Sequence, residues 1–291
     1  IFVNKMDRVG ADFFRVVHDI NDRLHGNALA MQIPIGASES YKGVVDVLTS
    51  KMVIFKEEDR GVAVEWQDAS PEYAEQIAEL RTKIIERACD FDDALADRYL
   101  DGEELSITEI KSALRKGVIK REVFPAFCGS AFKNKGVQAM LDAVLDYLPS
   151  PLDLPPVVGK DPNTDQDITR KSDPNEPFCG LAFKIMTDPF VGTLSFVRVY
   201  SGTLKSGSYV KNVTTGAKER VSRLIRMHSN KREEIEAVEA GDIAAFVGLK
   251  DVKTGDSLAD EKHPILLEKI DVPVAVISSS VEPKSKGDYE K

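Results

Sequence analysis

The sequence predicts a multidomain chain: an α/β domain interrupted by an α+β insert, followed by an antiparallel β-barrel. Three observations predict it. An apolar run leading into a polar loop and then a helix occurs twice, at residues 1–26 and again from Val123, the pattern of a parallel sheet with crossover helices. Between these stretches, short alternating runs give way to helical spacing. Seven of the fourteen prolines crowd into residues 149–177, and alternating segments punctuated by glycine follow.

Taken in order, Ile1-Phe2-Val3 reads as a strand that turns polar at Asn4-Lys5. Phe13, Val16, Val17, Ile20 and Leu24 then form one helical stripe that ends near Gly26. Val44–Asp46, Met52–Phe55 and Val62–Trp66 alternate as a small antiparallel sheet, with the acidic run Glu57-Glu58-Asp59 at a solvated hairpin tip. Ser70-Pro71 supplies an N-cap and first-turn proline for a helix with Ile77, Leu80, Ile84, Ile85 and Ala88 inward. Ser106 and Glu109 form a capping box ahead of Ile110, Leu114 and Val118. Val123–Cys128 is the second strand, and Val137, Met140, Leu141, Val144 and Leu148 mark the helix after it. The expected divisions are 1–35 with 123–150 as one domain, 36–122 as its insert and 151–177 as a stiff linker. Residues 178–265 form the barrel, and 266–291 begin a further domain.

A length of 291 residues suits about two domains of roughly 150. Composition is globular, at 42% hydrophobic and 30% charged, and no uncharged apolar run approaches the roughly 18 residues of a membrane span. Cys89, Cys128 and Cys179 are far apart, with no CxxC and no histidine at ligand spacing, which gives a zinc site or disulfide framework no support and fits a reducing compartment. The opening residues resemble neither a signal peptide nor a natural start, so the chain reads as a piece of a longer protein. A net charge of −9 argues against coating nucleic acid. The charge is uneven, however: residues 178–232 hold ten Lys/Arg against two acids, so this segment is either a solvated barrel face or one that meets phosphates.

The chemistry concentrates in two loops. In Asn4-Lys5-Met6-Asp7, the carboxylate of Asp7 matches the adjacent N1–H and N2 donors of a guanine base, a pair that adenine lacks. Asn4 reaches the acceptor side of the ring, and the stem of Lys5 lies over its face. Ligands of open α/β sheets sit at the carboxyl ends of strands, so Gly129-Ser130-Ala131 can meet the same base, with the Ala131 N–H donating to O6. Asp7-Arg8-Val9-Gly10 also spells DxxG, but it overlaps the first motif and cannot serve both roles. Gly255-Asp256-Ser257-Leu258 spells an esterase block yet falls at an ordinary turn, and His18, His25, His228 and His263 show no metal spacing.

Asn4-Lys5-Met6-Asp7-Arg8, Gly129 to Gln138 and Leu145 to Pro151 resemble translational GTPases, most closely the bacterial-type elongation factor G family. Asp7 and Gly129 are 122 positions apart, a separation accounted for by an inserted subdomain such as that family carries. The resemblance implies the C-terminal part of a P-loop GTPase domain, GTP or GDP as ligand with guanine selected by Asn4, Lys5, Asp7, Ser130 and Ala131, and Mg²⁺ held by residues outside this chain. It also implies a ribosomal partner, with the barrel on small-subunit RNA and the insert on the large-subunit stalk protein, and a cytoplasmic monomer without membrane contact. No residue here is expected to be catalytic, because no GxxxxGK(S/T) phosphate loop occurs. The insert is expected to add nothing to the base contacts, and Glu72, Glu75, Glu79 and Glu86 to line one helical face toward a partner. Peptide chain release factor 3 and the ribosomal protection proteins share the pattern in part. A non-catalytic RNA-binding barrel module is the alternative from another class.

Overall fold

A computed structural model describes residues 1–56, 64–188, 191–229, 231–267, 277–280 and 282, in two units, Ile1–Asp153 and Leu154–Lys291. The Glu57-Glu58-Asp59 run, Val62 and most of 268–291 lie outside the described residues. Among the described residues no helix is long and apolar enough to cross a membrane.

In the first unit β1 (Phe2–Val3) is followed by α1 (Phe13–Leu24), β2 (Ala28–Ala30), β3 (Gln32–Ile35), β4 (Gly43–Asp46), β5 (Lys51–Phe55) and β6 (Val64–Asp68). Helices α2 (Ala74–Cys89), α3 (Asp93–Leu100) and α4 (Ile107–Ile119) come next, then β7 (Phe124–Cys128) and α5 (Val137–Tyr147). A parallel sheet runs β1-β7-β2, with Val3 opposite Cys128 and Ala30 opposite Ala126. The two strand-loop-helix stretches are thus neighbours, and the carboxyl ends of β1 and β7 lie side by side. Asp12 caps α1 by accepting the Arg15 amide at 3.0 Å, and His25, in the left-handed conformation, ends it one residue before the glycine.

Strands β3 to β6 form the antiparallel sheet of the insert in sequence order. It begins at Gln32, ahead of the expected boundary at 36, and the Gln32 side-chain oxygen accepts the Cys128 amide at 3.1 Å. Nor is the insert's interior separate. Ile33 and Val45 of its sheet, Ile84 of α2 and Leu114 of α4 share one core with Phe127 and Tyr147. A small layer of short strands buries more apolar surface by sharing a core than by closing its own. Ser70 stands at the head of a 3-10 turn, Pro71–Tyr73, and makes no side-chain cap bond, so α2 begins at Ala74 and Glu72 lies before it. The Ser106–Glu109 capping box forms as the sequence predicts, with the Glu109 carboxylate accepting the Ser106 amide at 3.0 Å.

The second unit opens with a hairpin of β8 (Val157–Lys160) and β9 (Asp167–Arg170), inside the stretch whose prolines predict a linker. Turn chemistry overrides stiffness here: Asp161 accepts the amides of Asn163 and Thr164 at 2.8 and 3.3 Å. Leu266, expected in a further domain, pairs with Lys160 through two 2.8 Å backbone bonds, and Leu267 is buried beside Cys179 and Ile265. Those residues therefore close the core of this unit.

The β-barrel domain comprises β10 (Cys179–Asp188), β11 (Gly192–Ser201), β12 (Thr203–Lys205), β13 (Tyr209–Asn212), β14 (Lys218–Arg220) and β15 (Arg223–His228). It continues with β16 (Lys231–Ile235), β17 (Ala237–Glu239), β18 (Ile243–Val247) and β19 (Ser257–Ala259). Eight strands run β14-β13-β19-β10-β11-β18-β15-β16, all antiparallel, and β12 pairs with β17. Val197, Val199, Val210, Leu224, Phe246 and Leu258 fill the interior. At Gly202, where φ is +75°, a Cβ would stand 2.5 Å from the Phe178 backbone.

Candidate functional site

The loop after β1 is joined to the loop after β7 by both main chain and side chain. The Met6 amide donates to the Gly129 carbonyl at 3.0 Å, and the Gly129 amide to the Val3 carbonyl at 3.0 Å. Lys5 turns the chain with φ at +64°. The Asn4 Oδ1 accepts two amides, from Lys5 at 2.8 Å and from Ala131 at 2.9 Å, and its amide nitrogen takes no part in these bonds. The Asp7 Oδ1 accepts the Ser130 hydroxyl at 2.7 Å, and the Lys133 ammonium stands 3.7 Å from Oδ2. Ser130 first, with Lys133 and Arg8 adding to it, holds the Asp7 carboxyl below the usual carboxylate range. At neutral pH Asp7 is an anion with its side chain 13% exposed and acceptor capacity left over.

The second loop is a closed turn. Ser130, 1% exposed, exchanges backbone bonds with Lys135 at 2.8 and 3.0 Å, while Phe132 stands 98% exposed. Its two glycines are required by close approach: a Cβ at Gly129 would lie 2.3 Å from the Lys135 carbonyl, and one at Gly136, where φ is +84°, 2.6 Å from the Cys128 carbonyl. The structure brings Asn4, Asp7, Ser130 and Ala131 together, with Lys5 in the same turn. One expectation is not met: the Ala131 N–H is bonded to Asn4, so Ala131 orients Asn4 instead of offering a free donor.

Residues 1–150 match the family described as Elongation factor Tu GTP binding domain, and residues 192–259 the one described as Elongation factor Tu domain 2. The chain belongs to the elongation factor Tu GTP-binding domain family. It is also similar to a crystal structure from Thermus thermophilus, with a TM-score of 0.73 and 23% identity over 94% of this chain and 38% of that one. That likeness is one of fold, and the chain spans 38% of that protein's length.

The family is one of translational GTPases, and the structure places more residues beside the two loops than the sequence singled out. Lys133, Lys135, Ser38 and Tyr41 also belong to the neighbourhood of the loops. The insert, expected to add nothing there, sends the turn Gly36–Tyr41 against them: the Ser38 amide donates to the Met6 carbonyl at 2.9 Å and its hydroxyl to the Arg8 carbonyl at 3.0 Å. No sequence signal separates Lys135 from Lys133, since the difference between them is burial.

The charged segments are more evenly balanced than their composition implies. Arg220 ends β14, while Arg223 and Arg226 stand exposed on β15. Arg223 pairs with Glu234 at 2.9 Å, Lys218 with Glu261 at 2.7 Å, and Arg232 with Asp188. On α2, Glu75, Glu79 and Glu86 are exposed, and Glu79 pairs with Lys83 at 2.6 Å.

Proposed function

We propose that this chain is the base-recognising part, insert and second domain of an elongation factor G-type GTPase, a factor that hydrolyses GTP on the ribosome, promotes movement of tRNA and mRNA, and takes part in ribosome recycling. The observation that carries the reading is Asp7, ionised, anchored by Ser130 and still able to accept, at the carboxyl ends of adjacent parallel strands. Asp7 accepts guanine N1–H and N2–H, Asn4 donates from its amide toward the ring, Lys5 covers the base face, and Ser130 and Ala131 orient the two acceptor-bearing side chains. The insert between the loops favours elongation factor G over factors in which they lie closer. A stand-alone RNA-binding barrel accounts for the second unit alone, whereas the family match spans residues 1–150.

GTP hydrolysis and Mg²⁺ binding call for a phosphate loop that this sequence does not contain. Alone, the chain should therefore bind GDP with a Kd on the order of 0.1 mM or weaker, read by calorimetry. By the same reading the barrel meets small-subunit RNA, the insert meets the stalk protein, and the factor works as a monomer in the cytoplasm. The deciding experiment is Asp7→Asn in the full-length factor, which replaces a two-acceptor group with an amide suited to xanthine. Preference should move from guanine toward xanthine nucleotides on the order of a hundredfold or more, and retention of wild-type preference would refute the assignment.

A further inference from the structure

The two loops are tied to each other, and both are tied to a third segment that carries no recognised motif. Lys135, 3% exposed, extends its ammonium to the Tyr41 carbonyl at 2.9 Å. A buried ammonium persists only where acceptors replace its water, so the position is a built one. Tyr41 is 1% exposed, its ring lies among Met6, Phe13, Ala126 and Cys128, and its hydroxyl donates to the Cys128 carbonyl at 3.4 Å. The turn it closes is constrained: a Cβ at Gly36 would fall 2.2 Å from the Ser40 carbonyl, and Ser38 itself has φ at +55°. Hydrogen bonds therefore run in a ring, from Asp7 to Ser130, across the Ser130–Lys135 pair, to Tyr41, through the turn to Ser38, and back to Met6 and Arg8.

We propose that Lys135 and Ser38 are positioning residues of the base site, fastening both base-reading loops to the turn Gly36–Tyr41 so that Asp7 and Asn4 keep one geometry. Neither residue needs to touch the base. The inference rests on the guanine reading above and adds to it that the insert's first turn is part of the selectivity device. Ser130 is the relay, because its hydroxyl orients Asp7 while its main chain is clamped by Lys135.

The test uses the 291-residue chain, with residue-resolved amide hydrogen exchange and NMR titrations with GDP and XDP. Lys135→Met keeps the apolar stem and removes the ammonium. Exchange at Ser130, Ala131 and Met6 should quicken roughly tenfold while amides of β11 and β18 in the barrel stay unchanged, the signature of local opening. GDP binding should weaken about fivefold and the GDP-to-XDP ratio should fall, because an unheld carboxylate discriminates less, whereas a general loss of structure lowers both affinities together. Ser38→Gly suits the positive φ and keeps the main-chain bond to Met6. It should quicken exchange at Asp7 and Arg8 alone, roughly two- to threefold, and it decides the question should Lys135→Met fail to fold. A wild-type chain with no guanine preference overturns the base reading itself. A guanine-selective wild type whose variants keep the same loop exchange and the same ratio overturns the positioning role alone.

Discussion

Two groups of carboxylates in this chain do different work, and their partners tell them apart. In the barrel, Glu219 is buried and accepts the amides of Lys250 and Asp251 at 2.9 and 3.2 Å. Asp256, also buried, accepts the Asn212 side-chain amide and the Lys253 amide, each at 2.8 Å. Glu219 gives both oxygens to one loop, and Asp256 ties the Lys253 loop to the Asn212 side chain at the end of β13. Asp7 instead is partly exposed, and it accepts a hydrogen bond from the Ser130 hydroxyl, 123 positions away. A buried carboxylate satisfied by amides fixes a loop; a partly exposed one steadied by a hydroxyl keeps lone pairs for something that arrives.

The sharpest way to break this contrast is to exchange the same atoms in both places. Asp7→Asn should shift guanine-to-xanthine preference on the order of a hundredfold, whereas Asp256→Asn should leave it within about twofold in matched nucleotide titrations. Next in size, Asp256→Ala leaves the Asn212 amide only its bond to the Asp251 carbonyl, takes the partner of the Lys253 N–H, and should cost about 1–3 kcal/mol in urea unfolding of the barrel, with base preference unmoved. Smaller again is the cap of α4, where Ser106→Ala should cost about 1 kcal/mol. Ser106 first, then Arg98, holds Glu109 down at about 2. Because that value is depressed, the stability it contributes is fully present above the ordinary glutamate value near 4.3 and disappears as pH falls toward 2. The difference in Tm between wild type and Glu109→Gln should shrink over that window and stay flat from about pH 5 to 8. The least effect is expected at the barrel surface, where Glu234→Gln, which removes the exposed partner of Arg223, should change stability by less than about 0.5 kcal/mol, and less still in high salt.

The proposed base site was legible where residue type and strand position coincide. Asn4 and Asp7 follow an apolar run, Ser130 follows another, and the parallel-sheet rule puts the ends of such strands together even across 122 positions. Composition could not convey burial, which makes Lys135 an internal tie and leaves Lys133 at the surface. Nor could it convey a partner from a third segment, so the Ser38 turn was invisible from either motif. The Pro-rich stretch misled for a local reason: proline density suggests a spacer, but the hydrogen bonds of Asp161 bend residues 157–170 into a hairpin. The α2 boundary moved because Pro71 starts a 3-10 turn, which shifts Glu72 off the helix.

The separation of the two loops also has a consequence for how the molecule assembles. Closing a chain segment of 122 residues instead of about 25 costs only roughly 1–2 kcal/mol of chain entropy, so the insert burdens stability little. Its burden is on order of events, since contacts of long sequence separation form late. The insert's sheet and helices, built from nearer contacts, are therefore expected to form before β7 joins β1 and carries Ser130 to Asp7. Until then Asn4–Arg8 is an unmated strand end. Pulse-labelled exchange during refolding should therefore find the Met6 and Ser130 amides protected after those of β4 and β5, with the junction of the two loops the last part of this unit to form.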